Sequence, residues 1–575
     1  MSTKQKKTPS VRADGFHGIR FATAMDGIPN TVDIQNFRIT GDGSLIKRNG
    51  YSPLHVSKNE IRASIVTQFN QIPYVFLLRA NQVYLVNLKT EESRLCGQIQ
   101  SSSGNAHFFY HQGTLFLLCD SDIYIVDENT VERTIGYIPL VAKDWPNTHF
   151  GEINEPRNLL HNQARMTYII QDPPTVYLRS PYKIKSVERV LRNNVEQTKT
   201  EDYYLDLEFN TVNILRPKSG DRVTVYLTFE DDPSLPKKDL YSCDKDVLFG
   251  NTDASRILLF GGNTHATVFC ASYVPKENLL ESKSINALSS PLYFREGCDF
   301  TVGNGQFRIQ GATHDRDRIV FFTEGNTWIA KNVDTDKEKL STCGMNPIGC
   351  ATPNGVVQAA NDPITVEQNT IYRWESTSDG NLRAVSISKS VAPYWDKDFY
   401  SRAQLCFDPA NNELWVNDTG QNMVWICRLD SGDWFRYTDI PADRLMWLGD
   451  RMGFTHSSTL YQFSNDQYRD VNEAQNTFPI QAYYQASLGD LGSSNIKTVT
   501  HITFHGVTHT YPVLVSLFGG DLREPISASF TTNDATGSTV SKKRCRSGRF
   551  RCANLSISAN GHSPLSVRRI SIHTQ

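Results

Sequence analysis

Residues Val75–Asn87 read VFLLRANQVYLVN and residues Leu115–Asp127 read LFLLCDSDIYIVD, a gapless match at an offset of 40 residues. Phe76/Phe116, Leu77/Leu117, Leu78/Leu118, Tyr84/Tyr124 and Val86/Val126 are identical. Each copy is an apolar strand, a polar turn and a second strand carrying an aromatic. Short strands repeating every 40 or so residues are the signature of a propeller blade. The unit returns at Arg318–Ala330 (RIVFFTEGNTWIA), with Trp328 in the place of Tyr84. It returns again at Thr370–Trp374 (TIYRW), Met423–Cys427 (MVWIC) and Thr459–Phe463 (TLYQF). Tyr84, Tyr124, Trp328, Tyr372, Trp425 and Tyr461 are therefore expected at equivalent, packed positions. The pattern predicts an all-β chain built on a β-propeller of six to eight blades.

Two breaks in the pattern divide the chain. Between about 155 and 249 the strands lengthen and charge becomes denser, as in EDYYLDLEFNTVNIL and DRVTVYLTFEDD. This reads as a small β domain inserted in a propeller loop, where chain ends lie close enough to tolerate insertion. After about 475 the strands lose the blade aromatic and read as a β-sandwich of roughly 100 residues. The expected organisation is an extended arm and first strands over 1–60, blades over 61–154, the insertion over 155–249, further blades over 250–474 and the sandwich over 475–575.

Composition narrows the function classes. The chain has 575 residues and a formal net charge of -2, which argues against a wholesale electrostatic grip on nucleic acid or membrane. It contains no run of 18 apolar residues, so no membrane span is expected. The opening MSTKQKKTPSVRADG has lysines but no apolar core, and reads as a basic arm rather than a secretory signal. The 11 cysteines are odd in number, and Cys119, Cys270, Cys406 and Cys427 lie in apolar strands. Buried free thiols in a reducing compartment are expected. Cys343/Cys350 and Cys545/Cys552 lack the spacing of a zinc knuckle, so no metal is expected.

Catalytic signatures are missing: no phosphate loop, no HExxH and no GxSxG. Gly303-Asn304-Gly305 reads as a hairpin turn, and the histidines are scattered, with His314, His456 and His505 beside turns or in strands. Gly325-Asn326-Thr327-Trp328 supplies only the second half of a glycosidase Asp-box, because Phe321 and Thr323 stand in the Ser and Asp places. Glu230, Asp231 and Asp232 flank a Pro-containing loop and read as solvated. Neither an enzyme nor a cofactor is expected. One charge concentration stands out: Lys542, Lys543, Arg544, Arg546, Arg549 and Arg551. It is either an exposed soluble hairpin or a contact for phosphate or an acidic partner.

The segment Asp26–Tyr51, DGIPNTVDIQNFRITGDGSLIKRNGY, resembles the opening of bacteriophage tail proteins of the nozzle or hub kind. The matching positions are Asp33, Asn36, Phe37, Arg38, Ile39, Gly43, Leu45, Lys47, Arg48, Gly50 and Tyr51. Further stretches follow in the same order, among them Arg256–Asn263, Ser290–Phe294 and the closing QAYYQASLGDLGSSNIKTVTHITFHG; the last 60 or so residues have no clear counterpart. The resemblance implies a structural, homo-oligomeric ring, six copies being the expectation, around the channel through which DNA leaves a virion. It implies portal or adaptor and spike or fibre proteins as neighbours, passage of DNA without specific binding, and assembly in the host cytoplasm into the virion tail. Arg38, Lys47 and Arg48 are expected to make polar contacts, either within the chain or across an interface, and with the 542–551 cations (Lys542, Lys543, Arg544, Arg546, Arg549 and Arg551) they are the candidate interface residues. Loss of residues 1–51 is expected to harm particle assembly more than folding of the isolated propeller. A peripheral receptor-binding protein and a propeller enzyme acting on glycans are the competing readings.

Overall fold

The structure, a computed structural model, describes residues 10–14, 16–19, 30–146, 152–172, 177–249, 256–281, 288–315, 318–332, 340–377, 381–488, 496–508, 511–519, 522, 524–531, 539–545 and 549–574. It is all-β, with 57% of residues in strands and 4% in helices.

Seven antiparallel four-stranded meanders account for the repeat. The first runs from Ile61–Phe69 to Ser93–Gln98 and the second from Ala106–His111 to Val131–Gly136. The third spans Lys245–Phe249 to Asp299–Thr301, the fourth Ile309–Asp315 to Leu340–Asn346, and the fifth Val356–Ala359 to Leu382–Ser386. The sixth spans Ala403–Asp408 to Trp434–Thr438. The seventh has three strands from Arg444–Trp447 to Thr459–Phe463, and its fourth comes from the other end of the chain: Tyr51–Val56 pairs antiparallel with Thr459–Phe463.

The continuous apolar runs of the second strands follow from this stacking, because each sheet is covered on both faces and alternate side chains enter different cores. Phe76 and Leu78 pack with Phe108 and Leu117 of the second meander, whereas Val75 and Leu77 pack with Leu448 and Leu460 of the seventh. Phe116 and Leu118 face Ile257 and Leu259 of the third; Leu258 and Phe260 face Ile319 and Phe321 of the fourth. Tight hairpins hold the register. Asn70-Gln71 and Gln112-Gly113 have positive φ at both loop positions (49° and 65°, 48° and 74°), the two-residue turn that matches strand twist.

The six repeat aromatics all lie on the third strand of a meander. Tyr84 is opposite Leu77, Tyr124 opposite Leu117, Trp328 opposite Phe321 and Trp425 opposite Val416. Tyr124, Trp425 and Tyr461 are buried, and Tyr84, Trp328 and Tyr372 half-buried.

Sheet pairing moves the expected boundaries. The inserted unit starts with Leu140–Pro146, not near 155, because that strand pairs with Gln163–Ile169. Its last strand is Arg222–Phe229, and Lys245–Phe249 already belongs to the third meander. A five-stranded and a three-stranded sheet enclose its own core of Val141, Met166, Leu178, Val212, Val225 and Phe229. The arm over 1–60 is corrected as well, since its strands are woven into the C-terminal sheets. Asn30–Gln35 pairs with Thr477–Ser487, Leu45–Lys47 with Leu565–Thr574, and Ser10–Asp14 with the same Leu565–Thr574 strand. The two C-terminal sheets meet across Phe504, Phe530, Val515, Ile557 and Ile570, with Phe504 and Phe530 stacked at 5.5 Å. Loss of residues 1–51 would thus strip strands from both C-terminal sheets.

Candidate functional site

Two constellations bring charged side chains from distant parts of the chain together. The first is a cavity of about 700 Å3 lined by the first strand, or the residues just before it, of all seven meanders: Ser64, His107, Lys245, Gln310, Val356, Gln404 and Arg444 stand for them in order. First strands present alternate side chains inward and are short, so polar groups here meet the next sheet rather than bulk solvent. Lys245 Nζ donates to the Gln310 carbonyl at 2.6 Å and to the Pro353 carbonyl. Burial pulls its ammonium down to about 8, since the charged form is the one that loses solvation. His107 Nε2 lies 2.9 Å from Asp246 Oδ1, joining the second meander to the third. The Leu445 amide donates to Gln404 Oε1 at 3.0 Å, joining the sixth to the seventh. Each of these groups bridges neighbouring sheets. Among the described residues no group of His, Cys, Asp and Glu could hold a metal ion.

The second constellation is built by Asn36 to Tyr51. Asn36 takes a left-handed conformation (φ 55°), which asparagine tolerates better than most residues. That turns its amide inward, where Nδ2 donates to Thr438 Oγ1 (2.8 Å) and the Gln481 carbonyl (2.7 Å), and Oδ1 accepts from Arg48 Nε (2.8 Å). Arg48 grips Asp470 with two bonds of 2.8 and 2.7 Å, the two side chains being 1% and 5% exposed. Its remaining donors reach the carbonyls of Asn49 and Thr438. Gly50 meets the backbone of Arg469 so closely that a Cβ would lie 1.8 Å from its carbonyl oxygen. Tyr51 closes the segment against Phe454, Tyr461 and Phe463.

Arg38 and Lys47 are used nearby. Arg38 Nε donates to Glu413 Oε1 at 2.9 Å. Burial lifts the Glu413 carboxyl to about 7 even with the guanidinium beside it. Lys47 Nζ donates to the Gly561 carbonyl at 2.7 Å, and burial together with Arg48 lowers it to about 8. Of the two expected possibilities, contact within the chain or across an interface, all three make contacts within the chain, and Lys47 and Arg48 are buried. A buried cation must meet its partner inside the fold or forfeit its solvation. Asp470 and Glu413, the partners, lie 422 and 375 residues away in sequence, and no spacing rule could have found them.

The basic cluster divides. Lys542, Lys543 and Arg544 are exposed on Thr539–Arg544, and Arg549 and Arg551 are exposed beyond it. Arg546 lies outside the described residues. Lys543 Nζ sits 5.7 Å from the centre of the Phe530 ring, while Arg549 pairs opposite Thr498 at the far end of the neighbouring strand. The described cysteines are free thiols, all buried except half-buried Cys406 and exposed Cys552.

No protein-family model matches the chain, and no curated protein sequence matches it. Solved structures give weak likenesses. PorZ, a bacterial surface component of the type-IX secretion system of Porphyromonas gingivalis, aligns with 11% identity and a TM-score of 0.34 over 86% of this chain. This chain spans 46% of PorZ, about half its length. A chain of a mitotic checkpoint complex aligns with 9% identity and a TM-score of 0.34, over 78% of this chain and 98% of that one. Similarity at this level carries no argument about function. No described helix is long and apolar enough to cross a membrane.

Proposed function

We propose that the chain is a structural, non-enzymatic component of a bacteriophage virion tail, a nozzle or hub subunit that assembles with further copies of itself into a ring around the DNA-ejection channel. The observation that supports this reading is the Asn36–Tyr51 knot. The residues that carry the family resemblance are the ones that join three parts of the chain, through Asp470, Glu413 and Gly561. A stiff subunit that takes load from stacked neighbours needs such ties. Its seven meanders are read as the blades of one propeller, closed by Tyr51–Val56, with an inserted β domain and a C-terminal sandwich. Cores shared between the first and seventh meanders and a cavity touched by all seven support that reading.

DNA would run down the axis of the assembled ring and not through a single chain. The lining strands have four to nine residues and are about 13 to 30 Å long, so about 700 Å3 corresponds to a bore about 5 to 8 Å across. The major groove of B-DNA alone is about 12 Å wide. Portal or adaptor and spike or fibre proteins are the proposed neighbours. Electron cryomicroscopy of particles labelled with an antibody to this chain tests the proposal: label on a six-fold ring at the tail axis supports it, and label confined to peripheral fibres overturns it.

A second reading, peripheral receptor binding, is favoured by one feature of the inserted unit. On its three-stranded sheet Tyr177 and Tyr204 both lie opposite Asn213, and both are exposed, as are Leu207 and Phe209 in the adjoining turn. Label at the tail periphery would select this reading.

A further inference from the structure

The strands Thr539–Arg544, Lys497–Thr508 and Leu565–Thr574 lie side by side, and none of them contains an acidic residue. Their registers align Lys542 with Thr503 and Ser571, Arg544 with His501 and His573, and His505 with Arg569. Ile502, Phe504, Ile570 and Ile572 point into the sandwich core, so the alternate positions point outward together. One outer face therefore carries Lys542, Arg544, Arg569, His501, His505 and His573 around Thr503 and Ser571, which are themselves buried beneath them. Side-chain contacts bear this out: the rings of His501 and His573 lie 6.5 Å apart, and Thr503 Oγ1 is 2.9 Å from His573 Nε2. His573 is held below the ordinary histidine range by burial, then by Lys542, His501 and His505.

Other charges bordering this face are few. Arg568 is exposed beside it at the bulge before Arg569, and Arg549 lies at its far end. On the side of Leu565–Thr574 away from Lys497–Thr508, the backbone of Arg12 is in register with Ser571, and that of Asp14 with Arg569. Among the described residues, Asp14 is the one acidic residue whose backbone is in register with this face.

We propose that this face binds the phosphodiester backbone of duplex DNA, weakly at alkaline pH and more tightly as its histidines take up protons. Three outward positions on a strand cover about 13 Å, over which one DNA strand presents about four phosphates. Arginine and lysine are the usual backbone contacts. An anionic bilayer fits less well, because these outward positions hold no large apolar side chain to enter lipid except Val540 at the strand end. Three permanent cations make a grip that a moving duplex can slide over. Histidine is the side chain type that gains charge as pH falls from 8 to 5, and His573, held low by burial and its cationic neighbours, resists that gain. The binding is a property of the single chain and goes beyond the ring reading.

The test is fluorescence anisotropy of a labelled 20-base-pair duplex with the full chain, titrated with salt at pH 8 and pH 5.5. The slope of log K against log salt is expected to steepen from about -2.7 to no more than about -3.6, the limit of 0.9 for each of the about four phosphates the face spans. Affinity at low salt should rise at least about tenfold. Lys542→Glu with Arg544→Glu, both on an exposed edge strand, should abolish binding at both pH values with an unchanged circular dichroism spectrum. His501→Gln with His505→Gln should leave binding at pH 8 and remove most of the gain at pH 5.5, whereas Lys185→Glu on the inserted unit should change neither. Unaltered binding by the Lys542/Arg544 variant, a pH gain that survives loss of the histidines, or tighter binding to phosphatidylglycerol vesicles than to the duplex overturns the proposal.

Discussion

Replacing Arg48 by Met removes a guanidinium whose five N–H donors are all engaged: two on Asp470, one on Asn36 and one each on the carbonyls of Asn49 and Thr438. Methionine retains much of the volume, so the loss is electrostatic rather than a cavity. Asp470 would stay behind, 5% exposed, with the Tyr51 amide at 3.3 Å as a remaining donor. Breaking a buried pair by removing one partner costs about 3–5 kcal/mol. Arg48→Met/Asp470→Leu leaves no orphaned charge and should recover at least about 2 kcal/mol of that, a coupling within the range of contacting residues. Because Arg48 sits three residues before Tyr51–Val56, the damage should concentrate where that strand completes the seventh meander. Hydrogen exchange by mass spectrometry reads this directly. At 1.4 kcal/mol per tenfold, a loss of about 4 kcal/mol accelerates exchange in Tyr51–Val56 and Thr459–Phe463 by about a thousandfold, while the second and third meanders keep their rates. An Arg48→Met chain whose seam exchanges within threefold of the parent would refute the account of the knot.

Glu413 has its proton affinity raised in the folded chain, to about 7, so the folded state binds a proton that the unfolded state has released. Its contribution is complete below the ordinary carboxylate range and is lost as pH rises through about 7; Glu413→Gln should flatten the fall in urea stability between pH 5 and 8. Trp425→Ala, at a buried repeat position, should cost about 3–5 kcal/mol, and Tyr84→Ala, half-buried, about half as much, both by denaturant midpoint. In the native chain a thiol reagent should label Cys552 ahead of the nine other described cysteines, and Cys552→Ser should remove the fast phase. A chain beginning at Tyr51 should aggregate on expression, because the edges of Thr477–Ser487 and Leu565–Thr574 lose their partners; soluble, monomeric material would show that the N-terminal strands are dispensable for folding.

The strand content and the repeat were legible in the sequence because both are local. Alternation every second residue and a recurring aromatic survive in any context, and Val75–Asn87 with Leu115–Asp127 show them without a gap. The same locality explains the double-sided apolar runs, although their division into two cores, Phe76 and Leu78 toward one neighbour and Val75 and Leu77 toward the other, appears only once the sheets are stacked. The edges of the inserted unit were misplaced because Leu140–Pro146 looks like any short strand until its partner, Gln163–Ile169, is known. Charge was the least legible property. Arg48 and Lys542 look alike in sequence, yet one meets a carboxylate 422 residues away and is buried, while the other stays in water. His501, His505 and His573 came together with Lys542 only through the register of three strands. The physical reason is range: periodicity and turn chemistry act over a few residues, whereas burial and ion pairing are settled by whichever distant segment the closing of the fold brings into contact.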